Sequence, residues 1–269
     1  MSRIIRTLTL AEIGTLLDWA AAEGWNPGLD DATAFYAADP HGFFGAFVGD
    51  SMVAAIAAVA YDQRFGFIGL YICHPDWRGQ GHGKAVWSAG MAYLGTRTIG
   101  LDGVPAQQAN YASMGFATAY QSLRMAGTLH GPGGKPEAAP IEIAALAALD
   151  AQCFPAARPD FLRAWLAPPH RLLTVLRDGE LAGYAVLRPC REASKLGPVF
   201  ARDLAAASAL LDQVDGPVQI DVPLAQTGWM DLLAARGFTP SFATARMYRG
   251  TPPALAMQQV FGVTSLELG

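Results

Sequence analysis

Phe67-Ile-Gly-Leu-Tyr-Ile-Cys73-His-Pro-Asp-Trp-Arg78-Gly-Gln-Gly81-His-Gly83-Lys-Ala-Val86 passes from an apolar, strand-like run through a turn and three alternating glycines into a helix-like run. Glycine lets successive backbone N–H groups turn toward one point, and a helix starting at the last glycine adds the positive end of its dipole. Such a pocket suits an anion, a diphosphate above all. Between Lys84 and Leu94, residues Val86, Trp87, Ala89 and Tyr93 fall partly on one helical face, which puts the glycines at a helix N-terminus. The P-loop pattern fits poorly, because it needs a glycine where Arg78 stands and Ser or Thr where Ala85 stands. The dinucleotide pattern G-x-G-x-x-G fails as well, since it needs a glycine at His82 or Lys84. An ordinary glycine-rich turn is the bland alternative, and the flanking strand and helix weigh against it.

Arg78-x-x-Gly81-x-Gly83, preceded by a strand ending in His74-Pro75-Asp76, resembles the acetyl-CoA-binding motif of the GNAT acyltransferase superfamily. The resemblance implies that the backbone of Tyr71, Ile72 and Cys73 pairs with the pantetheine arm like an added strand. It implies further that Arg78, Gly79, Gln80, Gly81, His82, Gly83 and Lys84 hold the diphosphate of acetyl-CoA, with Asn110 as an additional contact. In that superfamily a tyrosine four residues before a Gly-Phe pair often protonates the leaving thiolate. Tyr111 holds that position ahead of Gly115-Phe116. Many members carry a glutamate base on a central strand, but Phe67 to Cys73 contains no carboxylate; Asp62, Asp102 and His74 are nearby and read as surface turn charges. The connection Glu23-Gly-Trp25-Asn26-Pro27-Gly28, followed by Asp30 and Asp31, matches the region that frames the acceptor in related enzymes. Trp25 offers a flat apolar surface and Asn26 an amide for orienting an acceptor, while Gly24, Pro27 and Gly28 are explained by a helix cap and a turn.

At 269 residues and 52% hydrophobic composition, the chain is long and apolar enough to build real cores, as one large domain or two ordinary ones. A net charge of -4 without a basic stripe argues against nucleic acid as a partner. The longest small-apolar run, Val53 to Ala60, is far below the roughly 20 residues that cross a bilayer. The opening MSRIIRTLTLAEIG has no signal-peptide character, so a cytoplasmic location is the expectation, with no membrane partner. Cys73, Cys153 and Cys190 lack C-x-x-C spacing and the five histidines lack ligand spacing, so no metal is expected; Cys73 reads as an inert thiol.

Gly127 to Pro140 is dense in Gly and Pro, and the chain repeats itself on either side of it. Gly115-Phe116, Tyr120 and Arg124-Met125 recur at identical spacing as Gly237-Phe238, Phe242 and Arg246-Met247. Leu101-Asp102-Gly-Val-Pro105 answers Ile220-Asp221-Val-Pro223, and Phe35 to His41 answers Ala164 to His170. The shared order argues for an internal duplication. Each half reads as hairpin strands, a central strand, a helix, a further strand, a short helix and a last strand, an α+β order. The expectation is two tandem GNAT-like domains, each a central, mostly antiparallel sheet flanked by helices: residues 1–127 binding acetyl-CoA, a linker at 128–140, and a degenerate repeat at 141–269 with a strand at Val260 to Leu268. The second half lacks Arg-x-x-Gly-x-Gly, and Leu233 stands where Tyr111 stands in the first. One cosubstrate per chain follows. The activity implied is transfer of an acetyl group to a small-molecule or peptide amine; a non-catalytic acyl-CoA-binding protein is the alternative. The oligomeric state is left open.

Overall fold

The computed structural model describes residues 2–131 and 142–269, so most of the linker placed at 128–140 lies outside the described residues. In the first half follow β1 (Arg3–Thr7), α1 (Leu10–Ala22), α2 (Asp31–Ala38), β2 (Phe43–Val48), β3 (Ser51–Ala60), β4 (Phe65–Cys73), α3 (His82–Leu94), β5 (Thr98–Gly103), α4 (Pro105–Ser113) and β6 (Ala117–His130). In the second follow α5 (Ile143–Cys153), α6 (Pro159–Trp165), β7 (Arg171–Arg177), β8 (Glu180–Arg188), β9 (Ser194–Ala201), α7 (Leu204–Leu211), β10 (Asp215–Pro223), α8 (Thr227–Ala235), β11 (Thr239–Arg249) and β12 (Val260–Gly262). The α+β class read from the sequence is the class observed.

The two expected sheets are fused into one of twelve strands, in the order β1-β2-β3-β4-β5-β11-β6-β10-β9-β8-β7, with β12 beside β9. Among the described residues only β4·β5 and β9·β10 are parallel. The fusion comes from an exchange of last strands. β6 pairs with β10 of the second half, β11 crosses back to pair with β5, and β6 and β11 lie side by side at the centre.

The repeated sequence marks are the chemistry of that exchange. Arg246 sits opposite Asp102, and Arg124 opposite Asp221, each pair joined by two hydrogen bonds of 2.8–3.0 Å. Each guanidinium also lies near the repeated aromatic of the neighbouring central strand, Arg124 at 5.1 Å from the Phe242 ring and Arg246 at 5.7 Å from that of Tyr120. A buried charge needs a partner, so Arg and Asp in each half specify the strand of the other half. Asp102, expected as a surface charge, is therefore a buried ion-pair member. Burial pushes its carboxyl up, against the pull of Arg246.

The core crosses the halves. On β3, Ala55, Ala57 and Val59 face the cluster of α1, α2, α5 and α6, whereas Ala54, Ile56 and Ala58 face α3. Both faces are covered, which explains the unbroken small-apolar run. Phe35 of α2 stacks on Trp165 of α6 at 6.0 Å, joining the two helices that the repeat places in equivalent positions. Among the described residues no helix is long and apolar enough to cross a membrane.

Candidate active site

β4 and β5 are paired only between Phe65–Ile68 and Thr98–Leu101, and beyond Ile68 they part. A bulge begins the parting: β4 is in register with β3 at Gly69 opposite Ala57 and again at Ile72 opposite Ala55, and Leu70 takes a left-handed φ of 47°. Beyond Ile68, β4 presents its Tyr71–Cys73 edge free of β5. A cavity of about 540 Å³ opens along it, lined by Tyr71, Ile72, Cys73, Arg78, Asn110 and Tyr111 among others, with Trp25 at one side.

The glycine cradle follows from β4 through a single 3-10 turn at Pro75–Trp77. Gly79 and Gly81 adopt φ of 77° and 79°, and a Cβ there would meet nothing, so glycine serves conformation at both. Gly83 lies within α3, where an added Cβ would stand 3.0 Å from the Tyr71 hydroxyl; glycine there permits close approach. α3 begins with no side-chain cap at Gly81 and no acidic residue in its first turn. Its first helical bond runs from the Ala85 N–H to the Gly81 carbonyl, so the N–H groups of His82 to Lys84 precede the helical ladder. Unpaired N–H groups at a helix N-terminus favour a negative charge in front of them. The His82 side chain turns inward, edge-on to Trp77, so that residue can offer the cradle only its backbone. Gln80 and Lys84 are exposed on the rim. Arg78 donates to the Cys73 carbonyl at 3.1 Å and pairs with Glu23 at the end of α1. Arg3 donates to the Gly81 carbonyl, a support that the sequence reading missed.

Tyr111 stacks on Trp87 at 5.6 Å, and Trp87 in turn meets Tyr71 at 5.3 Å. Its hydroxyl has no hydrogen-bond partner among the described residues. Burial, with a smaller push from Tyr71, raises its phenol to about 12. Burial likewise pushes the Cys73 thiol up, with the Gly83 N–H and Arg78 opposing, which disfavours a thiolate nucleophile.

The acceptor loop is only half as expected. Trp25 lines the cavity, and its carbonyl is held from the second half by Arg124 at 3.0 Å and Lys195 at 2.9 Å. Asn26 does not reach the cavity. It is buried with a φ of 50°, and its amide is spent on Ala193, Gln219 and the Glu192 N–H. Asp31, counted among the acidic residues of the loop, is also withdrawn: it accepts from the Gly28 N–H and pairs with Arg188. Both residues join the halves. The sequence missed Phe242, Thr244, Leu266 and Glu267, which line the same cavity from the second half. Phe242 showed in the sequence only as a mark of the repeat and the other three not at all; the strand exchange brings Phe242 and Thr244 there, and the C-terminal tail brings Leu266 and Glu267.

The corresponding gap of the second half is closed. β9 pairs with β10 only at Ser194 and Lys195, and beyond that point β12 lies on β9, while the Val263 N–H bonds the Asp221 carbonyl of β10. The strand expected over Val260 to Leu268 is three residues long, because Ser265 then accepts the Leu268 N–H through its hydroxyl and the Gly269 N–H through its carbonyl, closing a turn.

Residues 10–119 match the acetyltransferase (GNAT) family and residues 146–262 an acetyltransferase (GNAT) domain. The holothin acyltransferase of Pseudoalteromonas sp. (strain SANK 73390) is 30% identical over 97% of this chain and 92% of its own. The chain belongs to the GNAT acyltransferase family. Two solved structures share the fold of this tandem GNAT protein. A Pyrococcus horikoshii protein assigned to the acetyltransferases superposes with a TM-score of 0.81 at 18% identity, covering 99% of this chain and 96% of that one. A tandem GNAT protein from the clavulanic acid biosynthesis pathway gives 0.63 at 16% identity, covering 93% and 100%. Among the described residues no cluster of His, Cys, Asp or Glu could hold a metal ion.

Proposed function

We propose that this GNAT acyltransferase moves an acetyl group from acetyl-CoA to an amine by direct attack, in the first half only. The carrying observation is that Arg78, at the start of the glycine cradle, the free edge of β4 and Tyr111 line one cavity. Residues Arg78 to Lys84 receive the diphosphate on backbone N–H groups, and Tyr71 to Cys73 pair with the pantetheine arm. As the amine nitrogen bonds the carbonyl carbon and the C–S bond breaks, Tyr111 donates its proton to the sulfur; the amine proton passes to bulk water, and the tyrosinate regains a proton from solvent before the next turnover. A phenol raised to about 12 stays protonated throughout the neutral range, as that role requires.

A cavity of about 540 Å³ suits a small acceptor, within the usual range of ligand sites. The relative is named for acylation of holothin, which makes holothin the first acceptor to test here. Thiol release from acetyl-CoA is measured against holothin and a panel of other amines and amino-terminal peptides. Wild-type protein releases thiol with at least one of them. Tyr111→Phe lowers kcat by about 10²–10⁴-fold, the usual worth of a positioned acid, while CoA affinity stays within about threefold. Full activity in Tyr111→Phe overturns the acid assignment, and binding without turnover supports the non-catalytic alternative.

A further inference from the structure

The tail that closes the second half's gap does not end there. After Val263 it runs on to the first half, where Tyr61 donates to the Leu268 carbonyl at 2.9 Å. The Glu267 carbonyl lies so close to Gly69 that a Cβ on that glycine would sit 1.7 Å from it. Gly69 is the point where β4 leaves β5, so the tail crosses the mouth of the parting. Leu266 and Glu267 thus become part of the cavity wall.

Three carboxylates line this cavity: Glu23, Asp102 and Glu267. Glu23 is engaged by Arg78, and both oxygens of Asp102 are taken by Arg246. Glu267 is different. Its side chain is 2% exposed, Oε2 has no hydrogen-bond partner, and its nearest cation, Lys195, stands 3.8 Å from Oε1 while donating to the Trp25 carbonyl instead. A buried carboxylate oxygen without a donor is costly to keep, which makes the site receptive to an N–H group from outside the chain.

We propose that Glu267, delivered through the closed gap of the second half, is the residue that recognises the acceptor's amino group through Oε2. This deepens the acyltransferase reading and rests on it. It also gives the second half a definite task, that of threading a carboxylate into the site of the first.

The test compares wild type with Glu267→Gln and Glu267→Asp in thiol-release assays with holothin, benzylamine, spermidine and amino-acid amides, with CoA affinity measured by calorimetry. The expected result is an acceptor KM at least tenfold higher in Glu267→Gln, with KM for acetyl-CoA and the CoA affinity within about twofold of wild type. Glu267→Asp falls between. An acceptor KM in folded Glu267→Gln less than tenfold above wild type, or no higher than in Glu267→Asp, overturns the proposal and leaves the acyltransferase reading standing. A wild type that turns over none of these amines overturns both.

Discussion

Replacing Arg246 by Met tests the reasoning about the exchanged strands most sharply. Met keeps much of the volume that packs beside Phe67 and Tyr120 but removes the charge and both hydrogen bonds to Asp102. The Asp102 side chain has no exposure to water in the folded chain, so water cannot replace the lost donors. Removing one member of such a pair costs about 3–5 kcal/mol. The double variant Asp102→Leu/Arg246→Met leaves no orphaned charge and recovers most of that loss. The loss also depends on pH. The Asp102 carboxyl already lies above its ordinary value through burial, and losing Arg246 moves it further up. The folded state then binds a proton more tightly than the unfolded one, whose carboxyl titrates at about 3.9. The deficit of Arg246→Met is accordingly full above the raised folded value and shrinks as the pH falls through it. Urea denaturation followed by fluorescence of the six tryptophans, between neutral and mildly acidic pH, measures all three effects. A single variant within about 1 kcal/mol of wild type, or a double variant no more stable than the single, would refute the argument.

Gly81→Val forces a β-branched residue into a φ of 79° in open space, so the cradle distorts without a clash; CoA affinity falls at least tenfold by calorimetry, and unchanged affinity contradicts the cradle's role. Gly69→Ala drives a methyl group into the Glu267 backbone, so stability drops by more than about 1 kcal/mol and the acceptor KM rises; a melting temperature equal to wild type argues against the tail's course. Calorimetric titration with CoA gives one site per chain, since β12 fills the second gap; two equivalent sites would contradict that. Because one sheet spans both halves, fluorescence and far-ultraviolet dichroism trace a single coincident unfolding transition, and two separated transitions count against the fused core.

The cradle was legible because its information is local: a strand, a turn, glycines at fixed offsets and a helix start are written within about twenty consecutive residues. The duplication was legible too, as matched motifs. Their meaning was not, since Asp102 and Asp221 find their arginines through a strand exchange between segments far apart in sequence. The same long-range event hid Asn26, a residue that reads as an acceptor amide and proves to be a buried joint between halves. Glu267 gave no sequence signal at all. It sits in a tail that reads as a plain strand, and only the turn at Ser265 and the close approach at Gly69 bring its carboxylate to the cavity.

Transfer of an acetyl group to an amine by the first half is read most directly from the fate of the acetyl group itself. Acetyl-CoA labelled in its acetyl group is incubated with the protein and the amine panel, and the products are read by mass spectrometry alongside free thiol. Label is expected in an amide product in equal amount to the CoA thiol released, with both falling together in Tyr111→Phe. Tight binding of CoA with no thiol released beyond the protein-free rate, for any amine tested, would contradict it.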